Sequence, residues 1–192
     1  MSSMRINKRG ECLAFTRYLL LSTLLVVAAL ARVEAQEAHT HGLATLTLAL
    51  EGETLEMQFE SPAANLVGFE HKATSSEEKA AVTKAEVILK DAARLFSFVG
   101  SGCQFKNALV DVSSVAQNHQ HHDHASEHDE SSHSEISAIY RYQCKDAQAL
   151  ESVSVALFES FAGIEKIDAM WITKSDQGSA PLTPKSNLIS LR

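Results

Sequence analysis

Apolar and polar residues alternate strictly on either side of one short break. Leu46, Leu48 and Leu50 are followed by Glu51-Gly52-Glu53-Thr54 and then by Leu55, Met57 and Phe59. A period of two marks strands with one buried face, and the polar break marks a β-hairpin. Pairing Leu50 with Leu55 also pairs Leu48 with Met57 and Leu46 with Phe59, so one register satisfies the whole face. Ser61 to His71 has no period and reads as irregular. Ser75-x-x-Glu78 is a capping box. It opens a helix with Ala81, Val82, Ala85, Leu89, Ala92 and Phe96 on one stripe, ending near Phe98 before Gly100 and Gly102.

Cys103 to Val112 and Glu135 to Cys144 both read as strands. As an antiparallel hairpin with Cys103 opposite Cys144, they place Phe105 opposite Tyr142, Asn107 opposite Tyr140, Leu109 opposite Ala138 and Asp111 opposite Ile136. That face is mostly apolar and suits burial. Further on, the pattern predicts a strand over Ser152 to Leu157 and a helical turn over Phe158 to Ala162. A strand over Ile164 to Thr173 follows, with Trp171 in the core, then a Gly-Ser-Ala-Pro bend and a last segment over Asn187 to Leu191. The order β-β-α-β-β-β-α-β-β implies an α+β fold: an antiparallel sheet with a main helix packed on one face and a long His-rich hairpin loop.

That loop, expected to be flexible over residues 113–134, contains the most unusual composition in the chain. Asn118 to His133 reads NHQHHDHASEHDESSH and holds His119, His121, His122, His124, His128 and His133, six of nine histidines, with Asp123, Glu127, Asp129 and Glu130. It has no apolar residue larger than alanine and cannot contribute a core. A solvated linker or a pH-sensitive patch is the plainer reading. Ordinary loops, however, are built from Gly, Ser, Asn, Asp and Pro for turn-forming reasons that histidine lacks. A short His-rich tract reads compositionally as metal binding. Closing a hairpin over a tip of roughly 20 residues instead of four costs about 1.4 kcal/mol more. A Cys103–Cys144 bridge, contributing roughly 4 kcal/mol, offsets this.

The N-terminus predicts export. Arg5, Lys8, Arg9 and Arg17 form a basic region, Tyr18 to Leu30 an apolar one, and Val33-Glu34-Ala35 a cleavage site after Ala35. This is the pattern of a signal peptide over residues 1–35. An uncleaved anchor is the alternative, but the apolar run falls short of the roughly 20 residues a spanning helix needs. Residues 36–192 then form one domain. The leader holds five Lys or Arg and two acids, so that domain carries 12 basic against 22 acidic residues, a net of −10. Such acidity argues against nucleic acid and suits cations. Cys103 and Cys144 alone remain, and an even count in an exported chain reads as a disulfide. A two-cysteine zinc site is the other reading, but it lacks the usual close-pair spacing.

Imidazole suits zinc, copper, iron and nickel, and carboxylate adds a harder donor. His119, His121, His122 and His124 lie one or two residues apart, so only a pliable backbone lets them converge on one ion. Zinc asks little beyond four near-tetrahedral ligands, and overlapping sets with Asp123 or Asp129 satisfy it. His39 and His41 project to one face if extended and form a second candidate; two surface histidines are the plain alternative. His71 reads as a hydrogen-bonded structural histidine. No H-E-x-x-H or G-x-S-x-G motif occurs, so no enzyme is expected.

The chain resembles the ZrgA-like, zinc-regulated, His-rich periplasmic zinc-binding proteins. The resemblance rests on His39-x-His41-Gly42, Ser61-Pro62-Ala63-x-Asn65-Leu66-Val67-Gly68-Phe69-Glu70-His71, Gly102-Cys103, the His/Asp/Glu tract and Tyr140-x-Tyr142-x-Cys144. It implies Zn²⁺ as the bound ion, a periplasmic location, and support of zinc uptake by delivery to the solute-binding component of an ABC-type importer. Zinc storage or buffering, and copper or nickel handling, are the alternatives.

Overall fold

Strands β1 (Leu43–Glu51) and β2 (Thr54–Pro62) form the expected hairpin, with Leu46↔Phe59, Leu48↔Met57 and Leu50↔Leu55 in register. The computed structural model describes residues 40–100, 102–116 and 134–191. Leu46, Met57 and Phe59 are fully buried, as their alternation requires. The segment after Pro62 corrects the expectation of an irregular run. It folds into a one-turn helix, α1 (Ala63–Val67), which stops at Gly68 in the left-handed conformation (φ 89°). A single helical turn is too short to show a period.

Helix α2 (Ser76–Lys90) begins at the predicted capping box: Ser75 Oγ accepts from the Glu78 N–H, and Glu78 accepts from the Ser75 N–H. Val82, Ala85 and Leu89 are its buried residues. The helix does not reach Phe98, however. It breaks at Asp91; a short turn, α3 (Ala92–Leu95), follows, and Phe96–Val99 is strand β3. The Ala92 and Phe96 positions continue the stripe because both are buried, and burial does not distinguish helix from strand over so few residues.

Strands β4 (Cys103–Asp111) and β5 (Glu135–Cys144) pair antiparallel, Cys103 and Cys144 are disulfide-bonded, and Phe105 lies opposite Tyr142 as expected. Beyond that point the predicted register fails. A bulge at Lys106 shifts it by one, pairing Asn107 with Arg141, Ala108 with Tyr140, Leu109 with Ile139 and Asp111 with Ser137. The extra residue leaves Leu109 56% exposed, so the β4 face is not the apolar one expected.

The remaining elements are β6 (Ser152–Val155), α4 (Leu157–Ser160), β7 (Lys166–Ile172), β8 (Gln177–Leu182) and β9 (Leu188–Ser190). Two corrections fall here. The Gly-Ser-Ala-Pro stretch is strand β8, which among the described residues pairs only with β7; an edge strand tolerates Pro181 because no ladder bond is needed on its open side. Trp171 is half-buried at the end of β7, packed over Gly178, with its indole N–H donating to Asp176 Oδ2 at 3.3 Å.

The large sheet has the order β4-β5-β2-β1-β7-β8, and β3-β6-β9 form a second, smaller sheet. The fold is α+β, but the large sheet is mixed, because β1 and β7 run parallel. Two edge-on aromatic pairs join the sheets: Phe96 against Tyr140 at 4.9 Å and Phe98 against Tyr142 at 4.7 Å. One end of the large sheet gathers the start of β1, the end of β2, the end of β4 and the starts of β5 and β7. The disulfide lies at the other end, about 30 Å away at 3.3 Å per strand residue. Among the described residues no helix is long and apolar enough to cross a membrane.

The disulfide closes a separation of 41 residues. Replacing both cysteines by alanine is expected to lower unfolding free energy by about 2–4 kcal/mol. Urea denaturation checks this, with the slope expected to rise as the unfolded chain loses its cross-link.

Candidate metal centre

Two short pieces of sequence meet at the gathered end of the large sheet. Thr40-His41-Gly42 makes the turn into β1, closed by the Leu43 N–H donating to Thr40 O at 3.0 Å. Asn65 of α1 is buried beneath it, holds it with two hydrogen bonds and ties it to β2 with a third. Asn65 Oδ1 accepts from the Gly42 N–H at 2.8 Å, and Nδ2 donates to Leu43 O at 3.0 Å and to Ser61 Oγ at 3.1 Å. The Gly42 carbonyl accepts from Glu165 and Lys166, which ties the turn to the start of β7. Gly42 (φ 84°) and Gly68 (φ 89°) occupy the left-handed region, which a side chain would strain. Gly68 turns the chain so that Glu70 comes back to the His41 turn.

There the His41 Nε2 atom lies 3.3 Å from Glu70 Oε1; the imidazole is 71% exposed and the carboxylate side chain 19%. His71 faces the other way. Its ring stacks on Phe69 at 5.0 Å, Nδ1 lies 3.0 Å from Lys72 O, and Nε2 lies 3.7 Å from Glu78 Oε1. The hydrogen-bonded structural role expected for His71 matches these contacts. The Glu78 carboxylate accepts from the Ser75 N–H, the Thr74 N–H and the Thr74 hydroxyl, and these bonds pull its pKa down to about 2.

The two strand ends that flank segment 117–133 emerge beside these residues. Leaving β4, the Ser113 N–H donates to Asp111 Oδ1 at 2.8 Å, and the Ser113 hydroxyl together with that N–H holds the carboxyl below its usual range. Val115 is fully buried and accepts from the Ala73 N–H at 2.8 Å, while Lys72 Nζ donates to Ser113 O. On the return side, Ser134 O accepts from the Ala63 N–H at 2.8 Å, and Ser134 Oγ donates to Glu70 O at 2.8 Å. Ser114 Oγ donates across the gap to Glu135 O. Both ends are therefore fixed to the Glu70–Ala73 stretch.

His119, His121, His122, His124, His128, His133, Asp123 and Asp129 lie outside the described residues, as does His39. Of the expected metal ligands only His41 is described, and the partner beside it is Glu70, which sequence reasoning did not select. Asn65 was also missed as the residue that positions the turn. Both stand in the Asn-Leu-Val-Gly-Phe-Glu-His run, which entered the sequence reading only as part of the family resemblance. Among the described residues no three His, Cys, Asp or Glu side chains are grouped to hold a metal ion.

Compared with known proteins, residues 38–191 match a family model described as ZrgA family zinc uptake protein. No curated protein matches the chain.

Two outcomes are expected. Asn65→Ala leaves the buried Gly42 N–H without its acceptor and should cost about 2–3 kcal/mol, seen as a lower urea midpoint. Glu78 has a depressed folded pKa, so its capping contribution is complete above the ordinary glutamate value and disappears as pH falls through about 2. The stability gap between the wild type and Glu78→Ala, followed by circular dichroism, should therefore be constant from pH 7 to about 5 and close toward pH 2.

Proposed function

Because the chain belongs to the ZrgA family of zinc uptake proteins, we infer that it is a periplasmic carrier that captures Zn²⁺ through its histidine tract and delivers it to an ABC-type zinc importer. The observation that carries this reading is the family match over residues 38–191, which spans the tract and both of its fixed ends. In this reading His119, His121, His122, His124, His128 and His133 supply the imidazoles, with Asp123 or Asp129 completing a site and His39 and His41 adding donors nearby.

The chemistry follows from the donors. Neutral imidazole and carboxylate both suit a borderline ion that asks for four ligands and little angular precision. Ligands one or two residues apart reach one ion only if the backbone bends to it. The entropy of that ordering reduces affinity below that of a rigid cage. Moderate affinity suits a carrier, which must release its cargo. The cysteines are not donors in this scheme, since they are joined in a disulfide. That bond suits an oxidising compartment, as does the leader-like N-terminus. The carrier needs no catalytic group, and the reading is of a protein that is not an enzyme. The solute-binding component of the importer is its protein partner.

Calorimetric titration with zinc tests the capture step. Deleting Asn118 to His133 should remove most of the bound zinc and leave the circular dichroism spectrum of the folded domain in place; unchanged stoichiometry would contradict the reading. Affinity should also fall as pH drops below about 6.5, because ligand histidines must be neutral to bind. Transfer from the zinc-loaded protein to an importer's solute-binding protein separates delivery from storage. Storage predicts no transfer faster than dissociation into solution.

A further inference from the structure

We propose that His41 Nε2 and Glu70 Oε1 form one edge of a second, zinc-class cation site at the root of segment 117–133, with exchangeable water on the other positions. This rests on the zinc reading above. The separation of the two atoms is 3.3 Å. A charge-assisted N–H···O bond closes to about 2.7–2.9 Å. Two ligands held 2.0–2.1 Å from a tetrahedral ion stand about 3.3 to 3.4 Å apart. The pair is within ion-pair range and is also at the spacing of two ligands around one ion, so a cation can enter between the two atoms without moving either far.

The two donors reach this spacing by independent means. His41 is placed by its turn, whose next residue, Gly42, donates to the buried Asn65. Glu70 is placed by the Gly68 reversal and by the Ser134 hydroxyl on its backbone carbonyl. Neither donor needs the tract to be ordered, so the site exists before metal arrives. The imidazole is open to solvent and the carboxylate is largely covered, which fixes one donor firmly and leaves a wet approach to the ion. Ser134 follows the last tract histidine, His133, so cargo held by the tract has a short path to this pair. Two protein ligands with water on the remaining positions allow exchange one ligand at a time, which is what handing an ion onward requires.

The other histidine–carboxylate contact is unlike it. His71 Nε2 and Glu78 Oε1 are 3.7 Å apart, and the other oxygen of Glu78 already accepts three hydrogen bonds of the helix cap. It therefore serves as a control.

The test uses the full chain from Gln36 with His39 and all six tract histidines changed to glutamine, titrated with zinc alone by calorimetry. One zinc per chain should remain. His41→Ala and Glu70→Gln should each weaken it at least tenfold, and His71→Ala should leave it unchanged. On adding zinc, the ¹⁵N resonance of His41 Nε2 should shift, a readout that a structural contact would not move. His41 is exposed, so His41→Ala remains informative even if Glu70→Gln disturbs the fold. The proposal is overturned if no zinc remains, if the remaining zinc is insensitive to His41→Ala or to a folded Glu70→Gln, or if it depends on His71 instead. If changing the tract histidines removes no zinc, the tract reading fails, while the pair still stands or falls on His41→Ala.

Discussion

The backbone ladders on either side of β5 hold the rest of the molecule in place. β5 pairs with β2 along one side and β4 along the other, over nearly its full length. Its inward residues, Ile136, Ala138, Tyr140 and Tyr142, carry the core, and two of them also anchor the small sheet. Its last residue is covalently tied to the start of β4. Its first residue stands beside Ser134, where segment 117–133 rejoins the body. Slipping this strand by one residue would turn its buried face outward and move the anchor of the segment at the same time.

That arrangement separates the covalent cross-link from the root of segment 117–133 along the length of one hairpin. The disulfide constrains the unfolded chain from the far end of the stem, about 30 Å from the segment's root. Geometry at the root is set instead by short polar contacts: Ser134 on Glu70 and on Ala63, Ala73 on Val115, and Ser114 on Glu135. A histidine-rich segment with no apolar residue larger than alanine has no core-forming side chain with which to fix its own position. The body must therefore fix it by its ends, and it does so next to His41 and its carboxylate partner Glu70.

Local pattern carried much of the fold. The β1–β2 register followed from six alternating apolar residues, and the start of α2 from a capping box whose two hydrogen bonds are both made. The Cys103–Cys144 pairing was legible because two strands flank a tract that can only be a loop. What failed was either short or non-local. α1 is five residues, little more than one helical turn and too short for a period to be recognised. The bulge at Lys106 leaves no mark in composition. The Gly and Pro of β8 read as a bend because the sequence does not say which strand is at an edge, and the parallel pairing of β1 with β7 joins residues more than 120 positions apart. The site divided the same way. The tract was visible as composition, whereas Glu70 became visible only when the fold brought it to His41.

The account stands on histidine as the ligand of zinc. X-ray absorption at the zinc edge of the loaded full chain tests that most directly. It predicts a first shell of nitrogen and oxygen at about 2.0–2.1 Å with the outer-shell scattering of several imidazoles. A shell of oxygen alone, or a sulfur contribution near 2.3 Å, would contradict it.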